Sequence, residues 1–71
     1  MNIKKIKLLL EDNLNKTIHF KINGSRNQVQ EFFGEIVGVY QSVFLIKPND
    51  TNVIQSFSYS DVLTKNVEIT F

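Results

Sequence analysis

The 71-residue sequence has no cysteine and no tryptophan, a single proline, a single histidine and three glycines. Without cysteine there is no disulfide to staple the fold and no thiolate to hold a metal, so a reducing, cytoplasmic setting is expected. One histidine cannot complete a zinc site by itself. Near the N-terminus the longest apolar run is "LLL". That is too short for a secretion signal or a membrane span, and no membrane association is expected. "NGSR" lacks the glycines and lysine of a phosphate loop. Ser25, Ser42, Ser58 and Ser60 have no base at any recognisable spacing to activate them. Glu31 and Glu35 share one strand face and read as charges that keep the strand soluble, not as an acid/base pair. No enzyme, no cofactor and no metal are expected.

What is present is the composition of an ordinary soluble globule, 42% hydrophobic and 21% charged. The length allows one domain, residues 1–71, near the lower limit for a core without staples. The net charge of +1 is unevenly spread. Lys4, Lys5, Lys7, Lys16, Lys21 and Arg26 face only Glu11 and Asp12 up to residue 26, a local balance of +4. The remainder carries −3, from Lys47 and Lys65 against Glu31, Glu35, Asp50, Asp61 and Glu68. Such asymmetry fits a nucleic-acid face, or basic-to-acidic docking of subunits, or plain solubility.

Along the chain, Asn2 is placed to cap a helix of about residues 3–14, with Ile3, Ile6, Leu10 and Leu14 at helical spacing. Leu9 widens that stripe, and Leu8 lies off it and needs a second surface to cover it. The asparagines of "NLNK" favour a turn. The period then changes to two. "TIHFKI" sets Ile18, Phe20 and Ile22 against Thr17, His19 and Lys21, a half-buried strand with His19 on its polar face. In "NGSRNQ" Gly24 is free to take a positive φ. "VQEFFGEIVGVY" is a longer strand in which Gly34 and Gly38 mark bends or bulges. "VFLI" is apolar on both faces, "KPNDTN" is a hairpin loop, and "VIQSFSY" is a fourth strand. "SDVL" reads as one turn of 3₁₀ helix, and "VEITF" as a fifth strand with Val67, Ile69 and Phe71 inward. The sum is a mainly β domain: a short N-terminal helix, then a five-stranded antiparallel SH3-like (Sm-like) small barrel over about residues 17–71. The terminal strand is expected to close it.

"SFSYSDVLTKNVEITF", "YQSVFLI", "INGSR" and "IKKIKLLLEDNLNK" together resemble the Veg family of small bacterial proteins. Asn23, Gly24, Arg26, Gly34, Tyr40, Ser42, Phe44, Tyr59, Asp61 and Leu63 stand at matching motif positions. The resemblance implies an SH3-like barrel and a non-enzymatic role, stimulation of biofilm formation through regulation of gene expression. It supplies no catalytic or binding residues. Two departures stand out: Arg26 is followed by Asn27 and Gln28 where relatives carry more basic residues, and Gln41 replaces a usual proline.

Two functional readings follow. In the first, the chain binds a regulatory protein through a barrel edge or apolar groove, using leftover apolar residues such as Leu8, Leu9, one of Phe32 or Phe33, and one face of "VFLI". The same surfaces could serve a homodimer. In the second, Lys16, Lys21 and Arg26 hold phosphates of RNA or single-stranded DNA while Phe32, Phe33 or Tyr40 stacks on bases. Phe32 and Phe33 are adjacent on a strand and must face opposite ways.

Overall fold

Helix α1, Ile3–Asp12, begins where Asn2 takes an extended backbone and its side chain accepts the Lys5 N–H at 2.9 Å. That cap satisfies one of the donors a helix start leaves open. The helix ends two residues before the expected stop. Asn13 turns its side-chain amide back onto the Leu9 carbonyl at 2.7 Å, and Asn15 adopts a φ of 63°. Only Ile6 and Leu10 of the apolar stripe reach the core, while Ile3 and Leu14 lie at its margins, 45% and 38% exposed. The computed structural model describes residues 2–24 and 28–71.

Five strands follow: β1 (Thr17–Asn23), β2 (Val29–Val39), β3 (Val43–Pro48), β4 (Gln55–Ser58) and β5 (Val67–Thr70). A short helix, α2 (Tyr59–Leu63), joins the last two. All pairings are antiparallel, and the order across the sheet is β4-β3-β2-β1-β5. The short N-terminal helix, the five antiparallel strands and the helical turn before the last strand are compatible with an SH3-like fold. One expectation needs correcting. β5 joins β1 but does not bond to β4, so the hydrogen-bonded sheet stays open and α2 occupies the break.

The core follows from strand alternation. Ile18, Phe20, Ile36, Phe44 and Ile46 point inward with Ile6, Leu10 and Tyr59, and Phe32, Val39, Phe57, Val62 and Ile69 pack around them. Phe20 stacks on Phe32 across β1 and β2, ring centroids 5.5 Å apart. The bend in β2 has two separate causes. At Gly34 a side chain would stand 2.9 Å from the Lys47 carbonyl oxygen, so the absent Cβ is what lets β3 come close. Between Ile36 and Gly38 the β2–β3 register slips by one residue, a bulge that re-aims the strand. Gly24, by contrast, does not use a positive φ. Its N–H bonds the Gln28 carbonyl at 2.6 Å and so closes the neck of the loop.

The "SYSD" segment is more ordered than a single 3₁₀ turn. Ser58 and Asp61 form a reciprocal capping box, each side chain accepting the other's backbone N–H. This fixes α2 so that its first residue, Tyr59, drops into the core. The Tyr59 ring stacks on Phe44 at 5.7 Å, and its hydroxyl donates to the Tyr40 carbonyl with the Val43 carbonyl 3.3 Å away. Those two carbonyls belong to the β2–β3 turn, itself closed by Tyr40 N–H to Val43 O at 2.9 Å.

Two predictions follow from this packing. Replacing Gly34 by Ala gains up to about 1 kcal/mol by restricting the unfolded chain, but forces a backbone contact whose relief costs about 1–3 kcal/mol. A urea titration should therefore show net destabilisation. Tyr59→Phe should cost about 0.5–1.5 kcal/mol at neutral pH, since it removes the donor to the part-buried Tyr40 carbonyl, while the Val43 carbonyl keeps the Tyr40 N–H. Burial, followed by the charge of Glu11, raises the Tyr59 pKa above 10.0, and the bond to Tyr40 only partly opposes this. The folded state therefore keeps its proton at a pH where the unfolded chain has lost it. The contribution is full below pH about 10 and is lost as pH rises through the folded pKa. Unfolding followed above pH about 10 should show a shallower alkaline decline for Tyr59→Phe than for the unaltered chain.

Candidate functional site

The strand ladder itself locates the free edge. Asn23 N–H bonds the Asn66 carbonyl at 2.8 Å, and Asn49 N–H bonds the Phe33 carbonyl at 2.9 Å. Hydrogen-bonded pairs alternate along an antiparallel ladder. Lys21 with Glu68 and His19 with Thr70 are therefore the pairs that bond β5 to β1. The backbone N–H and C=O groups of Val67, Ile69 and Phe71 point the other way, into the break that β4 does not fill. Val67 is buried there, Ile69 is half-buried, and Phe71 is 53% exposed.

Beside this edge lies an apolar groove of about 490 Å³. Ile6 and Leu9 of α1 form one wall, Val62 and Leu63 of α2 the other, and Val67, Ile69 and Phe71 the floor. Lys65 and Glu68 are the polar residues along it. The groove exists because the inward face of β5 has no sheet opposite it. α1 and α2 pack against each other but leave Leu9, Leu63 and Phe71 uncovered at their junction. Phe71 is thus on the inward side, as strand alternation requires, yet open to solvent. Leu8 remains uncovered on the outer side of α1, 53% exposed.

The residues proposed for nucleic acid do not converge. Lys16 is exposed in the turn before β1, and Lys21 is five residues further, roughly 17 Å along an extended strand. Lys21 lies 3.9 Å from Glu68 and directly opposite Glu31. Arg26 lies outside the described residues. Phe32 faces inward against the core, while Phe33 faces outward and is 58% exposed. Tyr40 is exposed at the far end of β2, its ring against Gly38. His19 sits on the outer sheet face with its ring edge to Phe33 (5.2 Å) and Nε2 3.3 Å from Glu31.

The sequence pointed to Leu8 and Leu9 as needing cover and to an edge or groove in general terms, but not to β5 or Leu63. The signal for Leu63 was its place one helical turn after Tyr59, which fixes the exposed end of α2 beside α1. Among the described residues, no group of His, Asp or Glu is arranged to hold a metal, and no helix is long and apolar enough to cross a membrane.

No curated protein matches the chain. The family model described as biofilm formation stimulator VEG matches residues 1–70, covering α1, every strand and the Tyr59 capping segment. The chain therefore belongs to the VEG family of biofilm formation stimulators, a regulatory family.

Proposed function

We propose that this protein is a non-enzymatic interaction module of the cytoplasm that binds an extended segment of a regulatory protein and thereby influences gene expression. The observation that carries the reading is the open β5 edge lying directly beside an apolar groove. Strand addition supplies main-chain hydrogen bonds to the Ile69 and Phe71 groups, and alternate side chains of the added segment enter the groove. Backbone bonding gives affinity with little sequence demand, while the pocket between Leu9 and Leu63 selects an apolar side chain. The regulatory role of the family agrees with such a module.

The test is a photo-crosslinking amino acid placed at Leu63 in the native cell, with nuclease treatment before capture. A defined protein crosslinked at Leu63 and resistant to nuclease is expected. Leu63→Asp should weaken binding of that protein at least about tenfold, from one lost apolar contact of roughly 1.5–3 kcal/mol, and should reduce biofilm formation. Because Leu63 is 42% exposed, folding stability should change little. Capture that disappears with nuclease, or with Lys16→Ala and Lys21→Ala in place of Leu63→Asp, would replace this reading with nucleic-acid binding.

A further inference from the structure

We infer that Asn23 is a latent site of spontaneous deamidation, kept inert by β5 and released to react when β5 leaves β1. Asn23 is the only asparagine of the chain followed by glycine. Glycine has no Cβ to hinder approach to its own backbone nitrogen, which makes this pair chemically labile. In the reaction the Gly24 nitrogen gives its proton to solvent base and attacks Asn23 Cγ. A C–N bond forms, the Cγ–Nδ2 bond breaks, and Nδ2 leaves as ammonia with a proton from solvent. Water then opens the cyclic imide at either of its carbonyls. One opening leaves aspartate, the other an isoaspartate whose main chain runs through Cβ and Cγ. Water enters, ammonia leaves, and nothing is oxidised or reduced.

The fold holds both reacting groups off this path. The Gly24 N–H, whose proton must leave, donates to the Gln28 carbonyl at 2.6 Å. The departing nitrogen, Nδ2, donates to the Lys65 carbonyl at 2.7 Å and to Glu68 Oε2 at 2.8 Å. Both neighbours are acceptors, so the amide stands only one way round. With Asn23 N–H on the Asn66 carbonyl at 2.8 Å, this one residue makes three bonds to residues 65–68. Its Cγ cannot swing toward Gly24 until that segment lifts. β5 is four residues long at the end of the sheet, so it opens more readily than the strands inside. Once modified, the site closes poorly. A carboxylate there offers no donor to Lys65 and sets a like charge against Glu68. Modification therefore accumulates with the time β5 spends open, and it is not undone by refolding. Val67, Ile69 and Phe71 floor the groove, so a chain modified at Asn23 loses the segment-binding site proposed above. Only this last consequence rests on the regulator reading.

The test incubates the whole chain at mildly alkaline pH, with and without urea, and follows Asn23 by peptide mass mapping. The folded chain should deamidate there at least about tenfold more slowly than the chain in urea. Glu68→Ala removes one acceptor and should raise the folded rate about two- to fivefold. Glu68 is exposed, so the urea midpoint should barely move, which separates opening of β5 from global unfolding. Asn23→Asp, one of the products, should speed hydrogen exchange at the Glu68 and Thr70 N–H groups more than Asn23→Ala does, because repulsion adds to the lost bonds. Equal rates with and without urea, or an Asn23 that stays intact in urea, would overturn the inference. So would a folded rate unmoved by Glu68→Ala, which leaves the Gly24–Gln28 bond as the sole guard. Exchange no faster in Asn23→Asp than in Asn23→Ala would do the same. A confirmed β5 gate with no protein crosslinked at Leu63 would leave the gate standing and sink the regulator reading alone.

Discussion

The fold depends on Tyr59 more than on any other side chain. A sheet in the order β4-β3-β2-β1-β5 has two loose ends, and nothing in the strand ladder brings them together. Tyr59 joins them indirectly. It follows β4 in sequence, stacks on Phe44 of β3, and donates its hydroxyl to the turn between β2 and β3. One residue thereby couples the β4 side of the sheet, the central hairpin and the helix that leads to β5. The reciprocal bonds of Ser58 and Asp61 hold the backbone from which the ring enters the core. Burying a phenol is favourable only when its hydroxyl finds a partner, and here the partners are carbonyls that the tight turn exposes.

With α2 standing where a β4–β5 pairing would be, the molecule gains a plug and keeps an edge. The same geometry that places Tyr59 in the core sets Leu63 one turn on, at the far end of α2, where it lines the groove and is 42% exposed. The groove is therefore not an imperfection separable from the fold. It lies between a helix that must sit there to deliver Tyr59 and a strand whose inward face has only that helix and α1 for cover. Filling the groove with larger core residues would press on Ile6 and Val67, both already packed. β5 is also short and carries one charge, two features that restrain edge-to-edge pairing without abolishing it.

Much of this was legible in the sequence where one rule acted alone. Period-two alternation gave the inward set of β1, and the adjacency of Phe32 and Phe33 required opposite faces, which they take. Gly34 and Gly38 marked the bend of β2. Legibility failed where a tertiary contact decided the outcome. Gly24 suggested a positive φ, but Gly24 takes none and its N–H bonds Gln28 instead, and among the described residues the positive φ values fall on Asn15, Asn52 and Lys65. Closure of the sheet was expected because a free edge is a liability; whether a helix can stand in the gap depends on the Tyr59 anchor, which no local pattern reveals. Lys16, Lys21 and the rings looked like a cluster only because they are near one another in sequence. On a strand each residue adds about 3.3 Å and reverses the face, which disperses them.

Helix α1 shows how far local stability has been subordinated to this arrangement. Lys4 and Lys5 lie in its first turn, and Glu11 and Asp12 at its end. A helix dipole favours the reverse order, each misplaced charge costing about 0.3–1 kcal/mol near a terminus. A ten-residue helix is marginal alone even with good charges. α1 therefore exists because Ile6 and Leu10 are clamped in the barrel mouth and because Asn15 N–H is tied to the Ile36 carbonyl at 3.0 Å. Burying Ile6 and Leu10, roughly 3–6 kcal/mol together, outweighs four adverse charges of about 1–4 kcal/mol together. The exposed face of α1 is thus released from any duty to stabilise its own helix, and its lysines can serve the surface the molecule presents. Because Ile6 and Leu10 anchor so short a helix, whatever displaces them opens the groove wall and the core together.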